Sequence, residues 1–309
     1  MKKFLIVSGV VVVSLVSIII FKNLIIKSVV TNISSGIVGA PIHMDSFSMN
    51  ILTSTIHITG FKIYNPSGFP EGMLVSCPKI NVIYDRASLF SKKPHLRLMD
   101  IELKQMVLVK NKEGKLNVDS LKIVHPSKSS PPAPMQIDLL NLKIGQIVYK
   151  DYTIGAVPAV RVYNVNRQQS YKSIPTAQQL ALLVLSQPMK AAAIRDAEIY
   201  GVAIFAGVAV LPVAVVATFI SKDNVRQTID DGFEHTYAIS LEVVKTMGTV
   251  TQQDASNGVI KANINGSSVG LLLKKSAENK TEITISARKY MLPEVDIAGG
   301  VLYQILDKL

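Results

Sequence analysis

The chain has 309 residues, with 33 Lys and Arg against 22 Asp and Glu, a net charge of +11, a single Cys and no Trp. One cysteine excludes an intramolecular disulfide, and the lack of basic clusters interleaved with aromatics removes the stacking platform of a nucleic-acid binder, so nucleic acid is not an expected partner. The positive balance suits anionic lipid headgroups instead, and the length allows one or two domains with buried cores.

Residues Phe4 to Phe21 form an uncharged apolar run between Lys2-Lys3 and Lys22. As a helix rising about 1.5 Å per residue, the run would be roughly 27 Å long, near the ~30 Å hydrocarbon core of a bilayer. A cleaved secretory signal would have a shorter apolar part and end in small residues, whereas this one ends Ile18-Ile19-Ile20-Phe21. The sequence therefore predicts a transmembrane anchor over 1–22, with a cytoplasmic N-terminus and the body beyond the membrane.

Behind the run, Leu24, Ile25, Val29, Ile33 and Ile37 recur at helical spacing and Gly39 stands at the helix end, which predicts an amphipathic helix near the bilayer. Strand-like alternation follows at Phe47, Met49 and Ile51, at Ile56 and Ile58, at Phe61 and Ile63, at Ile80, Val82 and Tyr84, at Leu96 and Leu98, and at Ile101 and Leu103. Apolar parity switches between Ile58 and Phe61; a bulge at Gly60 would return both halves to one face. Asn65-Pro66-Ser67-Gly68 and Lys112-Glu113-Gly114-Lys115 are turn sequences, and Ser127 to Pro134 (SKSSPPAP) is a loop.

Strand pattern resumes at Leu140, Leu142 and Ile144, then Ile147 and Tyr149, then Val160 and Val162. Thr176 to Ala193 is helix-forming, with Pro188 expected to kink or break it. Ile199 to Ser221 is a second uncharged stretch, long enough to span a bilayer but loosened by Gly201, Gly207 and Pro212. Whether it crosses decides the side of the membrane on which the C-terminal part sits. There, Tyr237, Leu241 and Val244 share a helical face that stops at Gly248, strands follow at Val259 to Ile264, Val269 to Leu273 and Glu282 to Ala287, and Pro293 opens a final helix with Ile297, Val301, Leu302, Ile305 and Leu309 on its apolar face.

Catalytic chemistry finds no footing in this pattern. There is no Gly-x-Ser-x-Gly elbow, no glycine-rich phosphate loop and no activating histidine signature around Cys77, which reads as a small buried strand residue. His43 and Asp45 share a strand face near His57, but no third ligand converges by spacing, and His95, His125 and His235 are scattered. Asp230 and Asp231 precede a helix and suit its N-terminal dipole. No enzyme, metal or cofactor is expected. The apolar faces admit two readings: an ordinary closed core, or a lipid-accommodating groove in which Phe47, Met49, Ile51, Phe61, Ile63, Val82 and Tyr84 are the contact candidates and the helix over 24–38 is the floor.

At Thr59-Gly-Phe-Lys-Ile-Tyr-Asn-Pro-Ser-Gly-Phe69, Ile80-Asn-Val-Ile-Tyr-Asp85 with Ser88-Leu-Phe90, and Gly114-Lys-Leu-Asn-Val-Asp-Ser-Leu121, the chain resembles the N-terminal region of the AsmA-like family over about residues 1–165. That resemblance implies a protein of the bacterial inner membrane with a periplasmic β-rich body, acting in outer-membrane assembly or phospholipid handling. Its implied partners are the inner membrane, phospholipid and envelope proteins. From Asp223 on, Tyr237, Gly258-Val-Ile-Lys-Ala262, Gly266, Val269 and Thr281-Glu-Ile-Thr-Ile-Ser-Ala-Arg288 are similar to a domain of small bacterial lipoproteins, without their lipid-bearing Cys. The expected organisation is an anchor at 1–22, an antiparallel β-domain with its leading helix at 23–165, a helical linker and second apolar segment at 166–222, and a C-terminal α+β domain at 223–309. The fold class is α+β, mainly β. The expected function is non-catalytic envelope or lipid handling; a structural adaptor that holds protein partners is the alternative.

Overall fold

The computed structural model describes residues 23, 26–88, 91–125, 133–192, 194, 197–199, 215–217 and 224–309. Helix α1 (26–38) leads into strands β1 (Ile42–His43), β2 (Ser46–Asn50), β3 (Thr55–Tyr64), β4 (Met73–Tyr84), β5 (His95–Lys110), β6 (Pro134–Asp151) and β7 (Ala159–Thr176), helix α2 (Ala177–Ala191) and strand β8 (Val215–Ala217). These strands form one eight-stranded sheet in the order β1-β3-β4-β5-β6-β7-β8, with β2 also on β3. The second sheet is built from β9 (Val225–Ile229), β10 (Thr249–Asp254), β11 (Val259–Ile264), β12 (Ser267–Ala277), β13 (Lys280–Lys289) and β14 (Leu292–Pro293), with helices α3 (Phe233–Met247) and α4 (Val295–Lys308).

Parity inversion runs across the four strands β3 to β6 of the main sheet. The inward apolar positions change from Ile58 to Phe61 on β3, from Cys77 to Ile80 on β4, from Leu103 to Met106 on β5 and from Ile144 to Ile147 on β6. Gly60 does bend β3, at φ +59, and a Cβ there would overlap the Asp45 carboxylate. Yet β3 keeps its register with β4 across the bend, Thr59 opposite Lys79 and Phe61 opposite Cys77, because Pro78 adds a residue at the same level. The β5–β6 pair likewise holds one register throughout, from His95 opposite Gln136 to Lys110 opposite Asp151. Because β3 to β6 carry their extra residues close to one transverse line, and β7 takes up the change by a register shift between Ile144 and Gln146, one face of these strands stays apolar along its length.

The inner face is covered by α1, α2 and residues 116–124, and together they form the main core. Thr176 caps α2, its hydroxyl accepting from the Gln179 N–H at 3.1 Å, and the helix runs three residues past Pro188 rather than breaking there. Two turn asparagines brace the far end. Buried Asn117 accepts from the N–H groups of Val109 and Val118 and donates to the Val107 carbonyl and to Asn65 Oδ1 at 2.8 Å. Asn65 in turn donates to the Pro70 carbonyl at 2.8 Å. The Asn-Pro turn and the Gly-x-x-Asn turn are thus one hydrogen-bonded unit.

The outer face has two halves. One is polar, with cross-strand pairs such as Asn141 Nδ2 to Asp100 Oδ1 at 2.8 Å and Lys143 to Glu102 at 3.1 Å. The other is apolar, with Val107, Val109, Val148, Val160 and Val162, and the C-terminal domain covers it through Tyr303 of α4. Gly299 and Gly300 make this contact. A Cβ on Gly299 would lie 3.0 Å from Val162 Cβ, and one on Gly300 would overlap the Val160 carbonyl. Arg161 reaches Asp296 at 3.7 Å, and Lys150 Nζ stands 5.0 Å from the centre of the Tyr303 ring. The C-terminal domain keeps its own core on the other side of α4, around Ile260, Leu271, Ile283, Val301 and Ile305.

Four expectations are corrected. The anchor at 1–22 lies outside the described residues, and among those residues no helix is long and apolar enough to cross a membrane. Among the described residues the fold class is therefore α+β, mainly β, without a transmembrane helix, and no described element stands behind a single-pass placement in the inner membrane. The sheet is not wholly antiparallel: β5 and β6 run parallel, because the connection that holds the Ser-Pro loop is a long crossover rather than a hairpin. The boundary at 165 falls inside β7, and α2 shares the main core, so neither belongs to a linker. Within Ile199 to Ser221, Val215–Ala217 pairs with β7 at the sheet edge, so that stretch is not one continuous helix.

Candidate functional site: an apolar cavity beneath two helices

Between α1, α2 and the inner face of β3, β4 and β5 lies a cavity of about 190 Å³. Val30, Ile37 and Val38 close it from α1, and Leu180, Ala181, Val184 and Leu185 from α2. Its sheet wall includes Ile58, Phe61, Ile63, Val75, Ile80 and Ile101. Among the described lining residues, Ser34 and Cys77 supply the only side-chain heteroatoms apart from the thioether of Met99. Burial pushes the Cys77 thiol up to about 12, so it stays protonated and behaves as another apolar group. The side chains of β3 and β4 reach this space because the parity inversion at Gly60 and Pro78 keeps Ile58, Phe61, Cys77 and Ile80 on one face.

Of the seven contact candidates from the sequence, Phe61 and Ile63 line the cavity. Phe47 and Val82 are buried in the same core and Met49 packs against it, but none of the three lines the space. Tyr84 is buried, with its hydroxyl donating to the Asn50 carbonyl at 3.2 Å. Ile51 is 53% exposed in the turn after β2, away from the cavity, because the alternation of β2 ends at Asn50. The floor helix is present as α1. What sequence reasoning missed is the α2 wall, whose signal was its Leu180, Val184 and Leu185 stripe at helical spacing.

The five histidines, Asp231 and Asp119 are each engaged locally. His43 Nε2 lies 3.4 Å from Asp45, whereas His57 turns to Asn81 Oδ1 at 2.8 Å, so the two histidines do not converge. Among the described residues no group of three His, Cys, Asp or Glu side chains could hold a metal ion. His95 pairs with Asp138 at 2.8 Å, and His125 bonds the Asp119 carbonyl at 2.8 Å. Asp231 accepts from His235 at 2.7 Å and from the Thr236 hydroxyl at 3.0 Å at the start of α3, and these bonds, His235 first, hold its carboxyl below the usual range. Asp119 is buried and accepts from the Ile199 N–H at 3.1 Å; burial outweighs that bond and raises its pKa.

No protein-family model matches the chain, and no curated protein matches it either. The likeness to the AsmA-like family therefore stands on its motifs alone.

Proposed function

We propose that this chain handles lipid without catalysis, by holding one acyl-chain segment between α1, α2 and the inner face of the main sheet. The observation that carries this reading is the cavity of about 190 Å³ with nearly uninterrupted apolar walls. Apolar cavities of about 150 Å³ stay dry and take up benzene, whereas whole drug-sized ligands need roughly 300 Å³ or more. The space therefore suits a few methylenes of one chain, with the headgroup left in solvent. At about 0.8 kcal/mol per methylene removed from water, five of them would contribute about 4 kcal/mol. The AsmA-like motifs support placing this activity in phospholipid handling or envelope assembly.

The test is to purify the full chain, extract it with organic solvent and identify acyl lipids by mass spectrometry, then titrate the emptied protein with cis-parinaric acid. Bound lipid and saturable fluorescence, both lost in Ala181→Leu, are the expected outcome. A folded protein that carries no lipid and leaves the probe in water would defeat the proposal. A second reading, an adaptor holding protein partners without lipid, is favoured by the close docking of the C-terminal domain on the outer face, which presents two domains as one unit.

A further inference from the structure

The β13–β14 hairpin ends in Tyr290, Met291 and Leu292, exposed by 89%, 86% and 70%. Lys289 pairs with Leu292, so Tyr290 and Met291 alone make the turn, and both have positive φ, 49° and 67°. A two-residue turn of that handedness is the natural place for Asn-Gly, because bulky side chains are strained there. Here a strained turn presents a tyrosine and a methionine to solvent with no packing in return. Arg288 and Lys289 lie immediately behind the tip, and neither has a carboxylate partner among the described residues.

A second exposed apolar side chain borders the neighbouring β11–β12 turn. Ile154, 82% exposed in the β6–β7 loop, lines a cleft with Asn265, and the adjoining Gly266 lies against the Lys289 side chain. We propose that the Tyr290-Met291-Leu292 tip, with Ile154 beside it, inserts into the interface of an anionic bilayer. The apolar side chains would enter the headgroup boundary while Arg288 and Lys289 meet lipid phosphates. Charge complementarity selects this occupant: the patch is apolar at the tip with Arg288 and Lys289 directly behind it, the Glu294 carboxylate nearby is held by the Ser267 hydroxyl at 2.6 Å, and tyrosine favours the membrane–water boundary. The tip and the cavity stand on different elements, so membrane insertion and acyl binding fail independently.

The experiment places an environment-sensitive nitrobenzoxadiazole at Met291→Cys in the full chain; buried Cys77, with its raised pKa, does not compete for the label. Phosphatidylcholine vesicles containing phosphatidylglycerol should shift the emission to the blue, phosphatidylcholine alone should not, and the Arg288→Glu, Lys289→Glu background should lose the shift. A control label at Glu278→Cys, in the turn at the other end of β13, should stay in water. In a companion pair labelled at Leu292→Cys, Tyr290→Asn with Met291→Gly should abolish the lipid response and raise the melting temperature, since the turn is relieved. The inference falls if position 291 does not respond, if it responds equally without phosphatidylglycerol or equally at 278, or if the Asn-Gly variant melts lower, which would make the tip structural.

Discussion

Two helix contacts on the main sheet differ in what stands between helix and strand. On the inner face, α2 meets the sheet through Leu180, Val184 and Leu185, and the space between the large side chains is not filled. On the outer face, α4 meets β7 through Gly299 and Gly300, and backbone lies against backbone. Branched side chains hold a helix away from a sheet and leave their shape mismatch behind as a void, whereas glycine removes the spacer. One sheet can therefore be hollow on one side and sealed on the other.

The largest expected effect comes from forcing the sealed side apart. Gly300→Val has no room beside the Val160 carbonyl and should cost about 3 kcal/mol or more, seen in urea unfolding as an earlier transition for the C-terminal domain. Asn117→Ala should follow closely, at about 2 to 3 kcal/mol by the same measurement, because it strands the buried N–H groups of Val109 and Val118 and the Val107 carbonyl. A matched pair then separates hollow from filled: Ala298→Leu, in the packed core of the C-terminal domain, should cost about 1 to 3 kcal/mol. Ala181→Leu, facing the cavity, should be neutral or gain up to about 1 kcal/mol. Equal losses at the two positions would show that the inner space is not open.

The smallest effect is in acid, where one carboxylate in each domain should respond with opposite sign. The Asp254 carboxylate accepts from Asn257 and Ser256 and is held down from 3.8 to about 2. The stability it lends the C-terminal domain is complete above 3.8 and is lost as the pH falls toward 2. Asp119 has its pKa raised by burial, so the folded state favours the proton, and its contribution to the main sheet declines as the pH rises through the window above 3.8. Hydrogen exchange followed in β11 below pH 3.8 and in β6 above it should show the two trends; Asp254→Asn should flatten the first alone.

Local patterns were legible in the chain, and contacts across distance were not. Strand alternation and the switch at Gly60 followed from neighbouring residues. That the switch is matched on β4, β5 and β6 close to one transverse line depends on register, which neighbours do not encode. Phe61 and Ile63 were within reach for the same reason, while α2, more than a hundred residues further on, was assigned to a linker because nothing local says what its leucines face. Ile51 extrapolated an alternation past the end of its strand. The Gly299-Gly300 pair sits inside a helix whose Ile297, Val301 and Ile305 already account for one face, so its role on the opposite side left no mark in the hydrophobic pattern.

Among the described strands the parallel pairing of β5 with β6 divides the main sheet into two blocks, each held together by antiparallel ladders such as β3–β4 and β6–β7 that close over short turns. Joining them requires the polypeptide to travel back along most of a sixteen-residue strand, roughly 50 Å at ~3.3 Å per residue, before a single bond between the blocks can form. That seam is where assembly should stall. Until it closes, the edges of β5 and β6 lie bare, and the nascent molecule is most open to pairing with another copy of itself.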